Sequence, residues 1–169
     1  MHVEIRREDS GDEAAIHALH AAAFGTDAEA RCVEALRAGG ALTLSLVSLS
    51  DGEVVGHIAF SPVVVEAGGR LARGIGLAPM AVAPGRQRRG IGGRLIAAGL
   101  AASSAEGHGF CVVLGHPGYY PRHGFVPARA HGIRWERGHD EALFVQALAP
   151  DGLAGVSGIL RYRPELDAV

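Results

Sequence analysis

The spacing of apolar positions changes several times along the chain, and each change predicts a new secondary-structure element. Residues 2–7 alternate polar and apolar side chains with period two, as an edge strand does. Two segments with helical spacing follow, and Gly25 and Gly39 end them. Each segment begins with a capping-box pattern, Ser10–Glu13 and Thr26–Glu29. The sequence therefore predicts a strand followed by two short helices.

Each predicted helix has one apolar face. The side chains expected to face the core are Ile16, Leu19, Ala23 and Phe24 in the first helix and Cys32, Val33 and Leu36 in the second. Residues 42–49, 53–65 and 71–83 then form three apolar runs, with Asp51-Gly52 and Gly68-Gly69 in the turns between them. These turn residues favour hairpins, so we expect three antiparallel strands.

After Arg86 the apolar positions return to helical spacing over residues 87–106, and a short apolar strand follows at residues 110–114. Strand, helix and strand in this order predict a parallel pair with a right-handed crossover. Further strands are expected near the C-terminal segments 125–136, 142–149 and 159–162. We predict an α/β fold with a mixed, mostly antiparallel sheet, a central parallel pair and helices on both faces, in a single domain over residues 1–169.

Composition excludes several classes of function. Of the 169 residues, 48% are hydrophobic, which is enough for a core. The net charge of −2 leaves no polybasic surface, so neither a nucleic acid nor an anionic membrane is an expected partner. The amino terminus is charged where a signal peptide would be apolar, and no run of about 18 apolar residues occurs, which predicts a cytoplasmic protein. The cysteines form no CxxC pair, and His17 and His20 share a helical face without an acidic third ligand, so no metal is expected. A homodimer remains open.

A proline interrupts the strand that precedes the long helix. Pro79 lacks an amide proton and therefore belongs at a sheet edge or a bulge. If the strand separates from its parallel neighbour there, the amides of Met80, Ala81 and Val82 need another acceptor, which an extended amide-bearing ligand could supply. A proline at an ordinary sheet edge would need no ligand, and the strand alone does not separate the two interpretations.

The segment Gln87–Arg94, QRRGIGGR, lies between that strand and the long helix. The start of a helix leaves amide protons free and carries a partial positive charge, while glycine lets a phosphate approach the backbone. The segment therefore predicts an anion site, although a solvated arginine-rich helix start would have the same residues. It lacks the Gly-Lys-Ser/Thr of a Walker loop and the third glycine and later acidic residue of a Rossmann fingerprint.

Two segments together resemble the motifs of the GNAT superfamily of acetyltransferases. Gln87–Gly92 is similar to the acetyl-CoA signature Q/R-x-x-G-x-G/A, and Tyr120–Phe125 is similar to the later Tyr-x-x-x-Gly-Phe segment. The likeness in element order covers nearly the whole chain, whereas the likeness in sequence is confined to about residues 75–125. The asparagine that many relatives carry before the tyrosine has no counterpart in residues 115–119, so no cofactor contact is expected there.

The resemblance implies a GNAT-like acyl-CoA N-acyltransferase fold with a splayed parallel pair, and transfer of an acetyl group from acetyl-CoA to an amine. It implies that Met80 to Val82 bind the pantetheine arm and polarise the thioester carbonyl. The residues expected to hold the pyrophosphate are Gln87, Arg88, Arg89, Gly90, Ile91 and Gly92, and Arg94 could add charge. Tyr120 is expected to protonate the CoA thiolate, and its alternative role is that of a packing aromatic side chain.

The acceptor of the amine proton is left open among His57, His116, Glu29 and water. A cysteine nucleophile is not expected, because the neighbours of Cys111 in its strand supply no base, and we therefore predict direct attack in a ternary complex. The acceptor amine and the use of longer acyl-CoAs are not determined. Two other classes of function remain as alternatives, a CoA-binding regulatory domain that acetylates nothing and a nucleotide-binding protein.

Overall fold

The elements follow the order expected from the sequence, with shifts at several ends. The computed structural model describes residues 2–169. The strands are β1 (Glu4–Arg7), β2 (Leu44–Ser50), β3 (Glu53–Ala67), β4 (Arg70–Val82), β5 (Phe110–Leu114), β6 (Val126–Pro127), β7 (Ile133–Trp135), β8 (Leu143–Ala147) and β9 (Gly158–Arg161). The helices are α1 (Glu13–Phe24), α2 (Ala28–Ala38) and α3 (Ile91–Ala105). The predicted α/β class and mixed sheet are confirmed.

The chain divides into two compact units, and β3, β4 and α3 contribute residues to both. The first unit consists of Met1–Phe60, Ala78–Gly99 and Pro164–Val169. The second consists of Ser61–Leu77 and Leu100–Arg163. A single domain over residues 1–169 stays a prediction. Within residues 2–169, the longest helix has 15 residues, and no helix is both long and apolar enough to cross a membrane.

In the first unit, β1, β2 and the first half of β3 form an antiparallel sheet. Asp51 and Gly52 have positive φ angles of 52° and 81° in the turn between β2 and β3, as a type I′ hairpin requires. The predicted hairpin is therefore confirmed. Helices α1 and α2 pack together, and their buried side chains join those of the sheet in one core cluster, which contains Ile16, Val33, Val47 and Ala59.

In the second unit, β4 pairs in parallel with β5 from Ile75 opposite Cys111 to Leu77 opposite Val113. The predicted parallel pair is therefore present. Strand β8 pairs antiparallel with β5, and β9 pairs antiparallel with β3 and in parallel with β7, a second parallel pairing that the sequence did not predict. The core side chains of this unit include Val63, Val65, Phe110, Val112, Ile133, Val145 and Leu160.

Both predicted capping boxes are wrong. The first turn is capped by Asp9, which accepts from the Gly11 amide at 2.9 Å, while Asp12 accepts from the Asp9 amide at 2.9 Å. Arg6 donates to both oxygens of Asp12 and so favours this box over one at Ser10. At the second site, the N-cap of α2 is Asp27 rather than Thr26, and its side chain makes no capping hydrogen bond. The Thr26 hydroxyl instead donates to the Glu29 carboxylate at 3.3 Å.

Three further expectations need correction. Helix α3 begins at Ile91 rather than at residue 87, because Arg88 and Gly90 have left-handed φ angles of 59° and 81° that a helix cannot contain. The predicted strand near 125–136 is interrupted by a short 3₁₀ turn at Ala128–His131. Phe24, expected in the core, is 45% exposed at the end of α1.

Candidate active site

The end of β4 presents two backbone amides that do not pair with β3. The Ala83 amide donates to the Val55 carbonyl at 2.9 Å, so the amide of Ala83 faces β3. Alternate residues of a strand direct their backbone groups to opposite edges, which turns Ala81 toward β3 and turns Met80 and Val82 to the other edge. The pairing between β4 and β5 extends only to Leu77 in the described chain. Of the three predicted residues, Met80 and Val82 therefore carry the amides that a ligand could use.

A side chain links this strand end to the loop that follows. Gln87 donates its side-chain amide to the Val82 carbonyl at 3.1 Å. The carbonyl of Val82 lies on the same edge of β4 as the Val82 amide. Gln87 therefore occupies the hydrogen-bonding position on this edge that directly follows the two candidate amides. This contact ties the loop to the end of β4, and the predicted contact of Gln87 with the pyrophosphate stays a prediction.

The loop before α3 has the backbone shape of an anion site. Gly90 has a φ of 81°, and its carbonyl accepts the first α3 hydrogen bond, from the Arg94 amide at 3.1 Å. The amides of Ile91, Gly92 and Gly93 then belong to the first turn of α3, where they have no acceptor within the helix. An added Cβ at Gly90 would meet open space, so the glycine serves its backbone conformation rather than close packing.

The arginines of this loop differ in what they contact. Arg88 and Arg89 are exposed, and Arg88 itself has a positive φ of 59°. The Arg94 guanidinium instead donates to the Val3 carbonyl at 2.9 Å and holds the chain just before β1. The structure therefore gives Arg94 a structural contact and leaves Arg88 and Arg89 as the loop's exposed cations.

In the second unit, Tyr120 begins a 3₁₀ turn directly after the loop that follows β5. The side chain is 9% exposed and packs over Gly115, where an added Cβ would collide with the ring. Phe125 and Tyr119 contact the ring edge to face at centroid distances of 5.8 and 5.1 Å. Burial raises the pKa of Tyr120 to about 12, and Tyr119 and Cys111 add to the shift. The phenol is therefore protonated at neutral pH.

The local structure requires the glycine of the predicted Tyr-x-x-x-Gly-Phe segment, Gly124. Gly124 has a φ of 89°, and an added Cβ would lie 2.9 Å from the Gln146 side-chain amide. Gly124 and Gln146 line a cavity of about 600 Å³ with residues of β8 and the loop after it. Both the backbone conformation and the close approach of Gln146 thus require glycine at this position.

The sequence did not identify Tyr162, a second buried phenol of the second unit. Its ring lies over β4 at Gly76, where an added Cβ would be 2.6 Å from the tyrosine Cε1 atom. Burial raises the pKa of Tyr162 well above its ordinary value, and Cys111 and Tyr120 lie close enough to contribute. The only sequence signal for a buried Tyr162 was the alternation of strand faces over residues 159–162, which places the tyrosine on the same face as Leu160.

The three candidate bases occupy different environments. His116 is exposed, and its Nδ1 atom accepts from the Gly118 amide at 3.0 Å. Glu29 accepts from the Thr26 hydroxyl at the start of α2. His57 is fully buried in the first unit, and both of its ring nitrogens lie within 3 Å of polar side-chain atoms. Of the three, only His57 belongs to a buried network.

Glu8 anchors that network. Arg37 donates two hydrogen bonds to its carboxylate at 2.9 and 3.1 Å, and Ser45 donates a third. Burial acts to raise the pKa of Glu8, but hydrogen bonds from His57, Arg37 and Ser45 outweigh it and lower the pKa to about 2. A cleft of about 260 Å³, lined in part by Arg7, Glu8, Arg37 and Ser45, lies beside this carboxylate.

We expect this carboxylate to make folding stability depend on acidity. The folded-state pKa of Glu8 is depressed to about 2 from 4.5, so its stabilising effect is present above pH 4.5 and is lost as the pH falls toward 2. The Glu8→Gln variant should unfold more easily than the wild type at pH 6, by up to about 3 kcal/mol, and the difference should shrink by more than half at pH 3.

Urea unfolding at both pH values measures the two differences. Glu53→Gln, which changes an exposed carboxylate at the start of β3, is the matched control and should show little difference at either pH. A Glu8→Gln difference that is constant between pH 6 and pH 3 would contradict the prediction.

The thiols are not nucleophiles in this environment. Burial raises the pKa of Cys32 to about 12, and burial also raises the pKa of Cys111 well above its ordinary value. Both side chains are free and buried, so neither forms a thiolate at neutral pH. Residues 2–169 contain no group of three or more histidine, cysteine or acidic side chains placed to hold a metal ion. His17 contacts Glu34 instead, and His20 contacts His57.

Comparison with known proteins identifies similar chains over almost the whole length. Residues 4–128 match the family model described as an acetyltransferase (GNAT) domain. The chain is 40% identical over 161 residues to the uncharacterized N-acetyltransferase YhbS of Escherichia coli strain K12, covering 94% of this chain and 95% of that protein.

Two solved structures are also similar. One is the crystal structure of E. coli YhbS in complex with CoA, with a TM-score of 0.92 and 38% identity, covering 98% of this chain and 92% of that one. The other is a GNAT family acetyltransferase from Brucella melitensis in complex with acetyl-CoA, with a TM-score of 0.82 and 40% identity, covering 98% and 99%. The resemblance drawn from the two sequence motifs is thereby confirmed.

Proposed function

Because the chain belongs to the GNAT family of N-acetyltransferases, we propose that it moves the acetyl group of acetyl-CoA to an amine in the cytoplasm. The observation that carries this proposal is the end of β4, where Met80 and Val82 direct their amides away from β3 immediately before a glycine loop and a helix start. Two relatives that are 38% and 40% identical have been crystallised with CoA and with acetyl-CoA. They support acetyl-CoA as the donor.

The residues at this strand end fit the chemistry of acetyl-CoA. The pantetheine arm carries amides, and the Met80 and Val82 amides can pair with it as a neighbouring strand would. A donor aimed at the thioester carbonyl withdraws electron density and stabilises the negative charge that develops on its oxygen. In the loop, Gly90 and the first amides of α3 would hold the pyrophosphate, with Arg88 and Arg89 as cations at its edge.

Acetyl transfer then needs two proton movements. The amine nitrogen attacks the thioester carbonyl and loses a proton, while the departing sulfur gains one. We assign the second transfer to Tyr120, whose phenol is protonated at neutral pH because burial raises its pKa to about 12. The products are an N-acetylated amine and free CoA. Retention of a buried, protonated tyrosine favours an enzyme over a domain that only binds CoA.

Calorimetry followed by an activity screen tests the proposal. Acetyl-CoA and CoA should bind to the full chain, whereas ATP and NAD should bind much more weakly, because the loop lacks the lysine and the acidic residue of nucleotide sites. CoA release should then be followed with polyamines, amino acids, aminoglycosides and peptide amino termini. Binding of acetyl-CoA without CoA release on any amine would favour a non-catalytic CoA-binding domain.

We also predict that both substrates occupy the site together. Cys32 and Cys111 are buried thiols with raised pKa values, so an acetyl-enzyme on sulfur is not expected. Initial rates measured over a grid of acetyl-CoA and amine concentrations should give intersecting double-reciprocal lines. Parallel lines, together with an acetylated protein that passes its acetyl group to the amine, would contradict the prediction.

A further inference from the structure

A continuous chain of hydrogen bonds joins two buried histidines to Glu8 inside the first unit. His20 Nε2 lies 2.8 Å from His57 Nδ1, and His57 Nε2 lies 2.7 Å from Ser45 Oγ. Ser45 Oγ donates to Glu8, whose carboxylate Arg37 holds with two further bonds. Both histidine side chains have no exposed surface, so the chain is shielded from bulk water along most of its length.

The charge of Glu8 determines the direction of every proton in this chain. Ser45 has one hydroxyl proton, and a bond to a carboxylate is stronger than a bond to a neutral ring, so Ser45 donates to Glu8. Ser45 Oγ then accepts from His57 Nε2–H, which leaves His57 Nδ1 to accept from His20 Nε2–H. His20 therefore carries its proton on Nε2 and has a bare Nδ1 atom.

That bare nitrogen has no hydrogen-bond donor among the described residues 2–169. An unpaired buried acceptor costs about 1–3 kcal/mol, so a fold that retains one calls for an explanation in function. Phe24 stacks on the His20 ring at a centroid distance of 5.9 Å and an angle of 5°, and is itself 45% exposed. A single aromatic layer thus covers this face of the ring.

The two histidines lie beside the strand segment proposed to bind acetyl-CoA. The Ala83 amide donates to the Val55 carbonyl at 2.9 Å, so the end of β4 lies beside the start of β3. His57 is two residues further along β3 from Val55. The His57–His20 pair is therefore only a few residues from the strand end that carries the Met80 and Val82 amides.

We propose that His20 Nδ1 accepts the proton of the acceptor amine, a role that rests on the acetyl transfer proposed above. The amine N–H bond breaks as the Nδ1–H bond forms, and the nitrogen lone pair forms the amide bond to the acetyl carbon. The resulting imidazolium keeps its Nε2–H bond to His57 Nδ1. His20 returns the proton to water when the products leave.

In this scheme His57, Ser45 and Glu8 are positioning residues, because they act on His20 and not on substrate. They hold the ring in the tautomer that accepts a proton, as the aspartate of a serine-protease triad does for its histidine. Arg37 in turn keeps Glu8 charged.

Burial keeps both rings neutral before the reaction. Burial lowers the pKa of His20 to about 3, and His57 and His17 lower it further. Burial also lowers the pKa of His57, and Arg37 acts in the same direction, while Glu8 and Asp12 oppose it. The His20 ring is therefore unprotonated on Nδ1 near neutral pH, and its own titration should leave no inflection in the rate between pH 6 and pH 9.

Nitrogen NMR of the full-length wild-type chain tests the tautomers without any substrate. Long-range ¹H–¹⁵N correlation should show His20 and His57 protonated on Nε2 and bare on Nδ1, with the two rings assigned from His20→Gln and His57→Gln. A proton on His20 Nδ1 would overturn the proposal. Because this measurement uses the wild type, it decides the tautomer even if a histidine variant does not fold. In that case the signals of the two rings are assigned from the contacts between His20 and His57.

Kinetics test the proton transfer itself, with any amine that supports CoA release. His20→Gln keeps an N–H donor for His57 but has no ring nitrogen, so the turnover number should fall by about a hundredfold. Affinity for acetyl-CoA should stay within about twofold, and the defect should shrink as the pH rises and solvent base takes over. His17→Gln, on the same helix and in contact with Glu34, is the matched control and should keep normal turnover.

The outcomes separate this proposal from the function on which it rests. A wild type that releases no CoA with any amine would remove the proposed function and the base role together. An active wild type with an equally active, folded His20→Gln variant would overturn the base role alone and leave acetyl transfer standing. Equal loss in His20→Gln and His17→Gln, at every pH, would assign both residues a structural role and would also overturn it.

Discussion

Replacing Tyr120 with phenylalanine is expected to lower the turnover number by about a hundredfold or more while acetyl-CoA affinity stays nearly unchanged. The variant keeps the ring that packs over Gly115 and removes only the hydroxyl. A thiol has an ordinary pKa of about 8.5, far below the value of about 12 to which burial raises the pKa of Tyr120. The phenol therefore stays protonated until the sulfur of CoA departs, and its loss leaves that developing charge without a donor.

Steady-state rates at saturating acetyl-CoA and amine measure this effect, with a viscosity series to show that chemistry limits turnover. Tyr119→Phe is the matched control, because Tyr119 contacts Tyr120 and His123 edge to face and would lose only its own hydroxyl. Thermal unfolding of both variants checks that the fold is kept. Near-normal turnover in Tyr120→Phe, with a loss in Tyr119→Phe, would transfer the role to the neighbouring residue.

Valine at Gly90 is expected to weaken acetyl-CoA binding by about tenfold to a hundredfold. Gly90 has a φ of 81°, and holding a branched side chain in such a conformation costs about 1–3 kcal/mol. An added Cβ meets open space there, so the loss comes from the backbone rather than from a clash. The loop would relax to a negative φ and turn its amides away, and each 1.4 kcal/mol needed to restore it is a factor of about ten in affinity.

Calorimetric titration of acetyl-CoA measures this loss against two controls. Gly85→Val places the same side chain in the same loop, also into open space, at a glycine without a positive φ, and should bind nearly normally. Gly90→Asn should lie between the wild type and Gly90→Val, because asparagine tolerates the left-handed region. Arg89→Ala should lose less than Gly90→Val. Equal losses at positions 85 and 90, or a larger loss in Arg89→Ala, would show that the site depends on charge rather than on backbone shape.

Local patterns in the sequence were sufficient for most of the fold. The hairpin between β2 and β3 follows from alternating residues on both sides of Asp51-Gly52, because both the strands and the turn depend on neighbours in sequence. The parallel pairing of β4 with β5 follows from one strand, one helix and one strand in order. The glycine loop was located for the same reason, since a helix start and a positive φ are properties of a few consecutive residues.

The errors arise where nearby residues compete and a distant contact decides between them. Asp9 and Ser10 can each cap the first turn, and the choice falls on Asp9 because Arg6 of β1 holds its partner Asp12. Phe24 has the spacing of a core residue in α1, yet it lies outside the core and stacks on His20. Periodicity gives the face of a helix, whereas packing against other elements decides how far that face is covered.

The sequence by itself determined the family, the order of elements and the position of the glycine loop before α3. Only the tertiary structure brought together His20, His57, Ser45 and Glu8, which come from α1, β3, β2 and the segment after β1. Tyr162 reaches Gly76 in the same way, from residues far apart in the chain. No local pattern encodes such contacts, because side chains on separate elements meet only after the strands have paired and the helices have packed. Their burial away from water then determines which polar atoms form hydrogen bonds with one another.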